Sequence, residues 1–522
     1  MKNLTVLNLL TTCLLAFVSY LPNTTAADAQ PPLKICQQMQ DSLKQVKESC
    51  VAVSNKGTGS GVIISPGGYV ISAAHMFRNL AEEPTPEIIL HDGRKLKAQL
   101  LGFNRESDFA LLKISDPKSE DWPHCTLAKS APTTGNYCFT IAHPSGYLEG
   151  RPAQARLGRI TSHSQSEDGS AYYLFADCNI QPGDSGGPLF SLDGKLIGMD
   201  SSAAGLLGFN IFPAIDQFHK DRPRLTKGER WGDAKNAPDG EAITSVTLDA
   251  ETLNQIQQTF MQRVQQHYPP TVDFLQELAD ENGEVRIDQQ KIAMHMLRDA
   301  MAISRKQPIS HGLDDPAHLA QLPKLPTDAK RNLLLHPSDQ PHQPFAHGIA
   351  LDSQFIVCKH SLLPQESQYS AKIGPKHTPL KLVATDPTWD IALLKAKEAM
   401  PFPPMTWPTK ALPVGAGSLL LAPDHKGRPV WNVATDSPRV VSKKRSIGPL
   451  DDKTIISKHR APYPTAIRHA LPLYADDAGT PIFSQDGSFV GIHIARFSRT
   501  FGLIIPSSEL QKSIQKMQAT LD

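Results

Sequence analysis

Short apolar runs separated by Gly, Pro, Ser and Asp fill the chain from Cys50 to about Leu225. In the segment GVIISPGGYVIS, a Pro-Gly-Gly stretch lies between two apolar runs, which predicts a strand, a tight turn and a second strand. The segments DFALLKI, NYCFTIA, AYYLFADCNI and KLIGMDSS continue this pattern, and the same texture returns from about Ala346 to the end. We therefore expect two mainly β blocks of the barrel or sandwich kind.

Helical spacing replaces the strand pattern between the two β-rich blocks. A first helical run follows Asp249, a suitable helix N-cap, with apolar residues at intervals of three or four: Leu253, Ile256, Phe260 and Val264. A second helical run has Ala293, Leu297 and Met301 at intervals of four. The stretch ADENGEVRID resembles an EF-hand loop around Gly283, but Leu278 and Gln289 stand where calcium needs carboxylates. We favour a plain helix–loop–helix over a calcium site. Residues 308–344, rich in Pro, His and Asp, are expected to form a linker or a surface strap.

The composition is that of an ordinary globular protein. The chain has 522 residues, 40% hydrophobic and 20% charged, which suggests two to four domains. The 53 Lys and Arg residues nearly balance the 52 Asp and Glu residues, and no polybasic block or acidic tail is present. We therefore expect neither a nucleic-acid partner nor binding to an anionic membrane surface.

The first 29 residues are expected to be an export signal. Lys2 precedes a largely apolar stretch from Leu4 to Leu21, and Ala27-Asp28-Ala29 has the small residues of a cleavage site. A retained membrane anchor is the alternative, because the stretch is nearly long enough to span a bilayer, but its polar residues favour cleavage. The mature chain is then expected in the periplasm or outside the cell, without stable membrane insertion. Export would permit oxidation of the six later cysteines, whose pairing stays open.

Three short motifs stand in order in the first β-rich block. SAAH ends in His75, SDFALL contains Asp108, and GDSGGP contains Ser185. A serine hydroxyl is a weak nucleophile near neutral pH, so an imidazole must take its proton and a carboxylate must orient the imidazole. The order His, Asp, Ser, with glycines around the serine, resembles the trypsin-like serine peptidases over about residues 52–215. The segments GTGSGVII, SDFALLKI and GFNIFPAI further resemble the bacterial HtrA/DegP-like branch.

This resemblance implies a role for each motif residue. His75 would be the general base and then the acid, Asp108 would hold its other ring nitrogen, and Ser185 would attack the substrate carbonyl. The backbone N–H groups of Gly183 and Ser185 would form the oxyanion hole, and glycine at 183 tolerates the unusual backbone angles that this needs. No metal or cofactor is expected.

Two features depart from the HtrA/DegP-like pattern. No PDZ module can be recognised after the first block. Asp184 replaces the Asn common in that branch and matches trypsin, in which this Asp pairs with an N-terminus released by cleavage. Since no IVGG-like start is present, we do not expect activation by that route.

The resemblance also implies a primary specificity pocket. Asn179 would lie at its base, and Asp200, Ser201 and Ala203 would line its wall, with Ser201 also supporting Asp108. The acidic floor of the trypsin pocket is absent, so a strict Arg or Lys preference is not implied. Asp200 would favour a basic or polar substrate side chain.

The second β-rich block can be laid on the first. GIALDSQFIVCKHSLL meets GVIISPGGYVISAAHMF and places His360 against His75. LVATDPTWDIALLK and DDAGTPIFSQDGSFVGI align without gaps and place Asp390 against Asp108 and Ala478 against Ser185. Anchors in the same order indicate an internal duplication. A methyl group cannot attack a carbonyl, and Asp476 in the place of Gly183 would oppose the oxyanion charge, so the second copy is predicted to be a pseudoprotease.

The expected fold is mainly β, with two tandem trypsin-like double β-barrel domains. Residues 30–225 would be the protease domain, 226–335 a helical insert and Pro-rich linker, and 336–522 the pseudoprotease domain. The favoured function is an exported serine endopeptidase that acts on proteins or peptides, because the nucleophile has been lost in one copy only. The alternative is a non-catalytic peptide-binding or scaffold protein. The natural substrate and the oligomeric state stay open.

Overall fold

The computed structural model describes fifteen stretches of the chain. They are residues 32–55, 57–77, 85–115, 121–165, 171–204, 209–232, 320–339, 341–342, 344–364, 368–410, 412–424, 427–441, 462–473, 477–497 and 501–521. The predicted export signal, the two helical runs and the EF-hand-like loop lie outside these residues. Among the described helices, none is both long and apolar enough to cross a membrane.

The first domain begins with a closed β-barrel. Its strands are β1 (Cys50–Ser54), β2 (Thr58–Ile63), β3 (Tyr69–Ala73), β4 (Glu87–Ile89), β5 (Lys95–Asn104) and β6 (Phe109–Ile114), with β15 (Arg230–Trp231) at the edge. The order is β15-β5-β4-β1-β2-β3-β6, and pairing of β5 with β6 closes the barrel. The strands β1, β2 and β3 are almost entirely buried, as their apolar runs predict.

An eight-stranded sheet completes the first domain. Its strands are β7 (Thr126–Leu127), β8 (Tyr137–Ala142), β9 (Gln154–Gln165), β10 (Ala171–Ala176), β11 (Pro188–Ser191), β12 (Lys195–Met199), β13 (Ser202–Ala204) and β14 (Phe209–Pro213). They follow the order β13-β14-β10-β9-β8-β11-β12-β7. The predicted catalytic serine lies just before β11.

The second domain repeats this plan. A closed barrel of order β16-β17-β18-β21-β20-β19 is followed by a seven-stranded sheet of order β23-β22-β26-β27-β28-β25-β24. The barrel strands are β16 (Asn332–Pro337), β17 (Ala346–Ala350), β18 (Phe355–Lys359), β19 (Tyr369–Ile373), β20 (Lys376–Asp386) and β21 (Ile391–Ala396). The sheet strands are β22 (Leu419–Pro423), β23 (Pro429–Val433), β24 (Arg439–Val441), β25 (Tyr463–His469), β26 (Pro481–Ser484), β27 (Phe489–Arg496) and β28 (Gly502–Pro506). The expectation of a mainly β chain with two tandem domains is confirmed.

The same β-bulge interrupts both barrels. In β5 the pairing register shifts between Leu100 and Gly102, and in β20 it shifts between Leu382 and Ala384, the aligned positions. At Gly102 an added Cβ would lie 2.8 Å from the carbonyl oxygen of Leu225. Only glycine therefore allows the end of the helix that contains Leu225 to pack against β5. A shared irregularity at an aligned point supports the duplication.

In the described part of the chain, three α-helices lie outside the sheets: α1 (Pro32–Val46), α2 (Ile215–Thr226) and α3 (Ser507–Gln518). The sequence analysis did not predict α1, which lies between the domains. Ser42 Oγ donates to Leu192 O of the first domain at 2.6 Å, and Gln40 Nε2 donates to Ser418 Oγ of the second at 3.4 Å. Buried residues of α1 and of both domains form one continuous apolar cluster, so α1 joins the two domains.

Both domains extend beyond their predicted bounds. The first domain was expected to end at residue 225, but β15 lies beyond that residue and pairs with β5. The second domain was expected to begin at residue 336, but its barrel strand β16 begins before that residue. Four short 3-10 helices complete the described structure: Lys47–Ser49, Ala74–Phe77, Thr327–Arg331 and His360–Leu362.

Candidate active site

Strand pairing brings the first two motif residues together. Ala73 at the end of β3 is opposite Phe109 at the start of β6, so His75 and Asp108 follow neighbouring strand ends. Asp108 has a φ of 63°, a left-handed conformation that a non-glycine residue seldom adopts. In this position its Oδ1 accepts the backbone N–H of His75 at 2.8 Å, and its Oδ2 lies 2.8 Å from His75 Nδ1. The imidazole is thereby held at one ring nitrogen.

A third group fixes the aspartate. Ser201 Oγ donates to Asp108 Oδ2 at 2.6 Å. This contact matches the supporting position that the resemblance implied for Ser201. With three donors on one carboxylate, Asp108 keeps a single orientation toward the histidine.

Ser185 lies against β2, which pairs with the strand that leads to His75. Its carbonyl oxygen accepts the N–H of Ser60 at 2.8 Å, and Gly186 follows with a φ of 88°. A Cβ at Gly186 would lie 2.9 Å from Ala73 N and would collide with Ser60 O, so the close approach requires glycine. The Ser185 side chain is partly exposed. Among the described contacts no hydrogen bond joins it to His75, a bond that often tightens only when substrate binds.

Two backbone N–H groups beside Ser185 are available to a ligand. Within the described residues, neither Gly183 N nor Ser185 N donates to another protein group, whereas Asp184 N and Gly186 N are both bonded. Gly183 has a φ of 99°, and a Cβ there would lie 2.6 Å from Gly146 N. Two adjacent unpaired donors in a glycine-containing turn are the arrangement that stabilises an oxyanion.

The carboxylate beside Ser185 pairs with a cation from within the same domain. Asp184 is fully buried, and its Oδ2 lies 3.0 Å from Nη1 of Arg156, a buried residue of β9. Gln181 N also donates to Oδ2 at 2.7 Å. Burial raises the pKa of the Asp184 carboxyl, and the Arg156 charge opposes that shift. Arg156 was not predicted from the sequence. It could have been sought, because a buried Asp184 that has no released N-terminus as its partner needs another cation.

One residue of the predicted specificity pocket lies elsewhere than expected. Asn179 is buried, and Ala203 lies in β13, but its side chain is outside what the structure describes. Asp200 is fully buried behind the serine turn, where Thr140 Oγ1 donates to its Oδ2 at 2.7 Å. Burial and the nearby Asp184 raise the pKa of the Asp200 carboxyl well above its usual value. The prediction that Asp200 lines an open pocket wall and attracts basic side chains is therefore corrected.

Comparison with known proteins places this geometry in a family. The family model described as trypsin-like peptidase domain matches residues 59–199 and again residues 346–492, together more than half of the chain. The chain belongs to the trypsin-like peptidase family. Both matched segments coincide with the two β domains, so the expected trypsin-like identity of each domain is confirmed.

Similar proteins match about a third of this chain. A "probable periplasmic serine endoprotease DegP-like" of Halomonas elongata is 34% identical over 168 residues, 31% of this chain and 33% of that protein. A protein of the same description from Hahella chejuensis is 32% identical over 168 residues, 31% of this chain and 34% of that protein. The crystal structure of the serine endoprotease from Yersinia pestis is 25% identical, covers 37% of this chain and 66% of that chain, and has a TM-score of 0.31. The chain spans about a third of the length of the curated relatives it matches.

The second trypsin-like domain has a different residue at the base position. Lys359 is opposite Ile391, and His360 N donates to Asp390 O at 2.8 Å, as Ala74 N does to Asp108 O. Ser361 N then donates to Asp390 Oδ1 at 2.9 Å, the bond that His75 N makes to Asp108. Ser361, not His360, therefore occupies the place of His75. The predicted alignment was one residue out, because a histidine matched a histidine across turns of unequal length.

The aspartate of the second domain is held by other groups. Ser361 Oγ donates to Asp390 Oδ2 at 2.7 Å, and Lys359 Nζ lies 3.0 Å from the same oxygen. The Lys359 side chain is only 1% exposed and also donates to Ile494 O. His360 is exposed, and within the described residues no hydrogen bond joins its ring to Asp390. The carboxylate thus neutralises a buried ammonium instead of orienting an imidazole.

The loop that corresponds to the serine turn keeps its backbone frame. His347 N donates to Ala478 O at 3.1 Å, and Gly479 N donates to His493 O at 2.7 Å, like Ser60 to Ser185 and Gly186 to Asp200. These bonds place Ala478 at the Ser185 position, where its methyl group is fully buried. Asp476, aligned with Gly183, lies outside the described residues.

A buried histidine pair replaces the buried Asp200 of the first domain. His493 takes the Asp200 position, and its Nδ1 lies 3.0 Å from His469 Nε2. Burial and the neighbouring His493 lower the pKa of His469 well below its usual value. The His469 ring is therefore neutral near pH 7.

Proposed function

We propose that the chain is a serine endopeptidase that hydrolyses peptide bonds with its first domain. The observation that carries this proposal is the series of hydrogen bonds from Ser201 through Asp108 to His75, together with the unpaired N–H groups of Gly183 and Ser185. Such an arrangement suits acyl transfer, because it combines an oriented general base with hydrogen-bond donors for the developing negative charge.

Each group of the first site has one task in the proposed reaction. His75 Nε2 takes the proton of Ser185 Oγ while that oxygen attacks the substrate carbonyl, and Asp108 stabilises the resulting imidazolium. The N–H groups of Gly183 and Ser185 stabilise the oxyanion; removing one donor of this type costs about 3 kcal/mol of transition-state stabilisation. His75 then protonates the leaving amine, and a water repeats the sequence to release the acid and restore Ser185.

The Arg156–Asp184 ion pair supports a site that forms without proteolytic activation. In this proposal Arg156 supplies the positive charge that holds Asp184, so the turn from Gly183 to Ser185 is shaped within the intact chain. Processing of an N-terminal segment is then unnecessary for the oxyanion hole.

The second domain is proposed to be catalytically silent. Ala478 has no nucleophile, and Ser361 stands where a general base is needed. The Asp390 carboxylate is engaged by Lys359, so even a restored serine would find no activated imidazole.

Substrates and location follow from the relatives and the amino-terminal sequence. The relatives are described as periplasmic endoproteases, and residues 1–29 have the pattern of an export signal. We propose proteins or peptides in the periplasm as substrates, and no cofactor takes part in the proposed mechanism.

A fluorophosphonate probe tests the proposal on the mature full-length chain. The wild-type protein is expected to be labelled at Ser185, and Ser185→Ala is expected to abolish labelling. Adding Ala478→Ser to the Ser185→Ala variant is expected to restore nothing. An unlabelled wild-type protein would favour the non-catalytic peptide-binding or scaffold function, and labelling of the double variant would contradict a silent second domain.

A further inference from the structure

The oxyanion turn of the first domain rests on a loop that the second domain holds. We propose that Arg439 of the second domain is a positioning residue for the oxyanion hole of the first, acting through residues 143–151. This inference rests on the proposed function, because it assigns the silent domain a task in the chemistry of the other.

The first step is the contact between this loop and Gly183. Ser145 N donates to Pro182 O at 2.7 Å, and His143 N donates to Ser60 Oγ at 2.9 Å. A Cβ at Gly183 would lie 2.6 Å from Gly146 N and 2.8 Å from His143 O. Backbone packed this closely transmits any displacement, so the position of residues 143–146 sets the direction of the Gly183 N–H.

The second step is the closure of the loop by Arg151. Its Nη2 donates to Pro144 O at 2.7 Å and also to Gly146 O, while its backbone N–H donates to Leu148 O at 2.9 Å. These bonds make residues 144–151 one compact unit. A force applied near Gly150 therefore reaches the contact with Gly183.

The third step is the set of hydrogen bonds between the second domain and residues 144–155. Arg439 Nη1 donates to Gly150 O at 2.5 Å, and a few residues later Ala155 N donates to Thr435 O at 3.3 Å. Ala155 precedes Arg156, the cation of Asp184. The second domain thus touches both ends of the structure that shapes the turn before Ser185.

Arg439 is itself anchored inside the second domain. Its Nε lies 3.4 Å from Asp436 Oδ2, which also lies 2.8 Å from Nη1 of Arg468. The Asp436 side chain is only 2% exposed, so the anchor is rigid. Burial, together with the charges of Arg468 and Arg439, lowers the pKa of Arg151 to about 10, while the carboxylates of Asp184 and Asp436 oppose this shift. The two domains therefore interact electrostatically as well as by hydrogen bonds.

Arg439→Ala in the full-length chain tests the inference, with Arg428→Ala as the matched control. Arg428 is an exposed arginine that pairs with Asp424 within the second domain. Because small misplacements of an oxyanion donor are costly, Arg439→Ala is expected to lower kcat and the rate of fluorophosphonate acylation about tenfold, with KM nearly unchanged. Arg439→Lys should recover part of the rate, and Arg428→Ala should behave as wild type.

Hydrogen exchange of residues 143–151 separates this inference from the proposed function. Faster exchange there in Arg439→Ala, but not in Arg428→Ala, supports the positioning role whether or not the wild type reacts with the probe. Unchanged exchange and unchanged acylation in Arg439→Ala would overturn it, as would equal losses in both variants. A wild type that never reacts would overturn the proposed function alone.

Discussion

Asp108 and Asp390 occupy the same backbone position in two domains and do different work. Both have a left-handed φ, 63° and 57°, and both accept backbone N–H groups from the end of the neighbouring strand. Asp108 then holds an imidazole, whereas Asp390 holds a hydroxyl and a buried ammonium. One backbone frame thus holds two aspartates whose side chains bind different partners.

The buried cations of the two domains lie in different places. In the first domain Arg156 pairs with Asp184, next to the serine turn, and leaves Asp108 free for His75. In the second domain Lys359 pairs with Asp390 itself. Since a buried carboxylate needs a partner, the location of the cation decides whether the aspartate after the barrel loop pairs with a histidine or with a lysine.

The largest expected difference is between amide variants of the two aspartates. Asp108→Asn should lower kcat roughly 10⁴-fold, because an amide favours the wrong imidazole tautomer. Asp390→Asn should leave kcat and KM on a peptide substrate near wild type. Equal losses of activity in the two variants would break the comparison, since they would show that both aspartates serve one reaction.

Removal of the buried cations gives the next largest effect. Arg156→Met and Lys359→Met each leave a buried carboxylate without its cation, which should cost about 3–5 kcal/mol of unfolding free energy. At temperatures where both variants are folded, only Arg156→Met should lower kcat, because only Arg156 shapes the serine turn. Urea unfolding followed by turnover assays measures both effects. A wild-type unfolding curve for Lys359→Met would remove the structural role given to Asp390.

The smallest expected effect is a pH dependence of stability in the first domain. Burial, aided by Arg151 and Arg156, lowers the pKa of His143 to about 4. As the pH falls, His143 is therefore protonated in the unfolded chain before it is protonated in the folded chain. The free energy of unfolding is then expected to decrease by about 3 kcal/mol between pH 6.5 and pH 4. His143→Phe should flatten the dependence of unfolding free energy on pH in this window. The exposed His91→Phe serves as control, and an equal pH slope in His143→Phe and wild type would contradict the assignment.

The residues of the first site could be predicted from three sequence motifs. The spacing of SAAH, SDFALL and GDSGGP singled out His75, Asp108 and Ser185, because each lies at a strand end with its own local pattern. The role of Ser201 came from the family resemblance, and the structure shows its bond to Asp108. Catalysis by these residues stays a proposal until the probe experiment is done.

In the second domain, the sequence did not predict the alignment of β18 with the corresponding strand of the first domain. A histidine near the end of β18 was aligned with His75, yet strand pairing puts Ser361 there. A slip of one residue changes which side chain faces the site, and only the hydrogen bonds between strands detect it.

The sequence by itself determined the mainly β character and the two trypsin-like domains, and it predicted the duplication and the silent second site, since these predictions rest on local patterns and on the identity of Ala478. Only the tertiary structure decided the partners of buried charges, the burial of Asp200, the place of α1 between the domains and the contact of Arg439 with Gly150. Those features join residues far apart in the chain. Burial and pairing depend on which distant groups the fold brings within a few ångströms, and no local pattern encodes that.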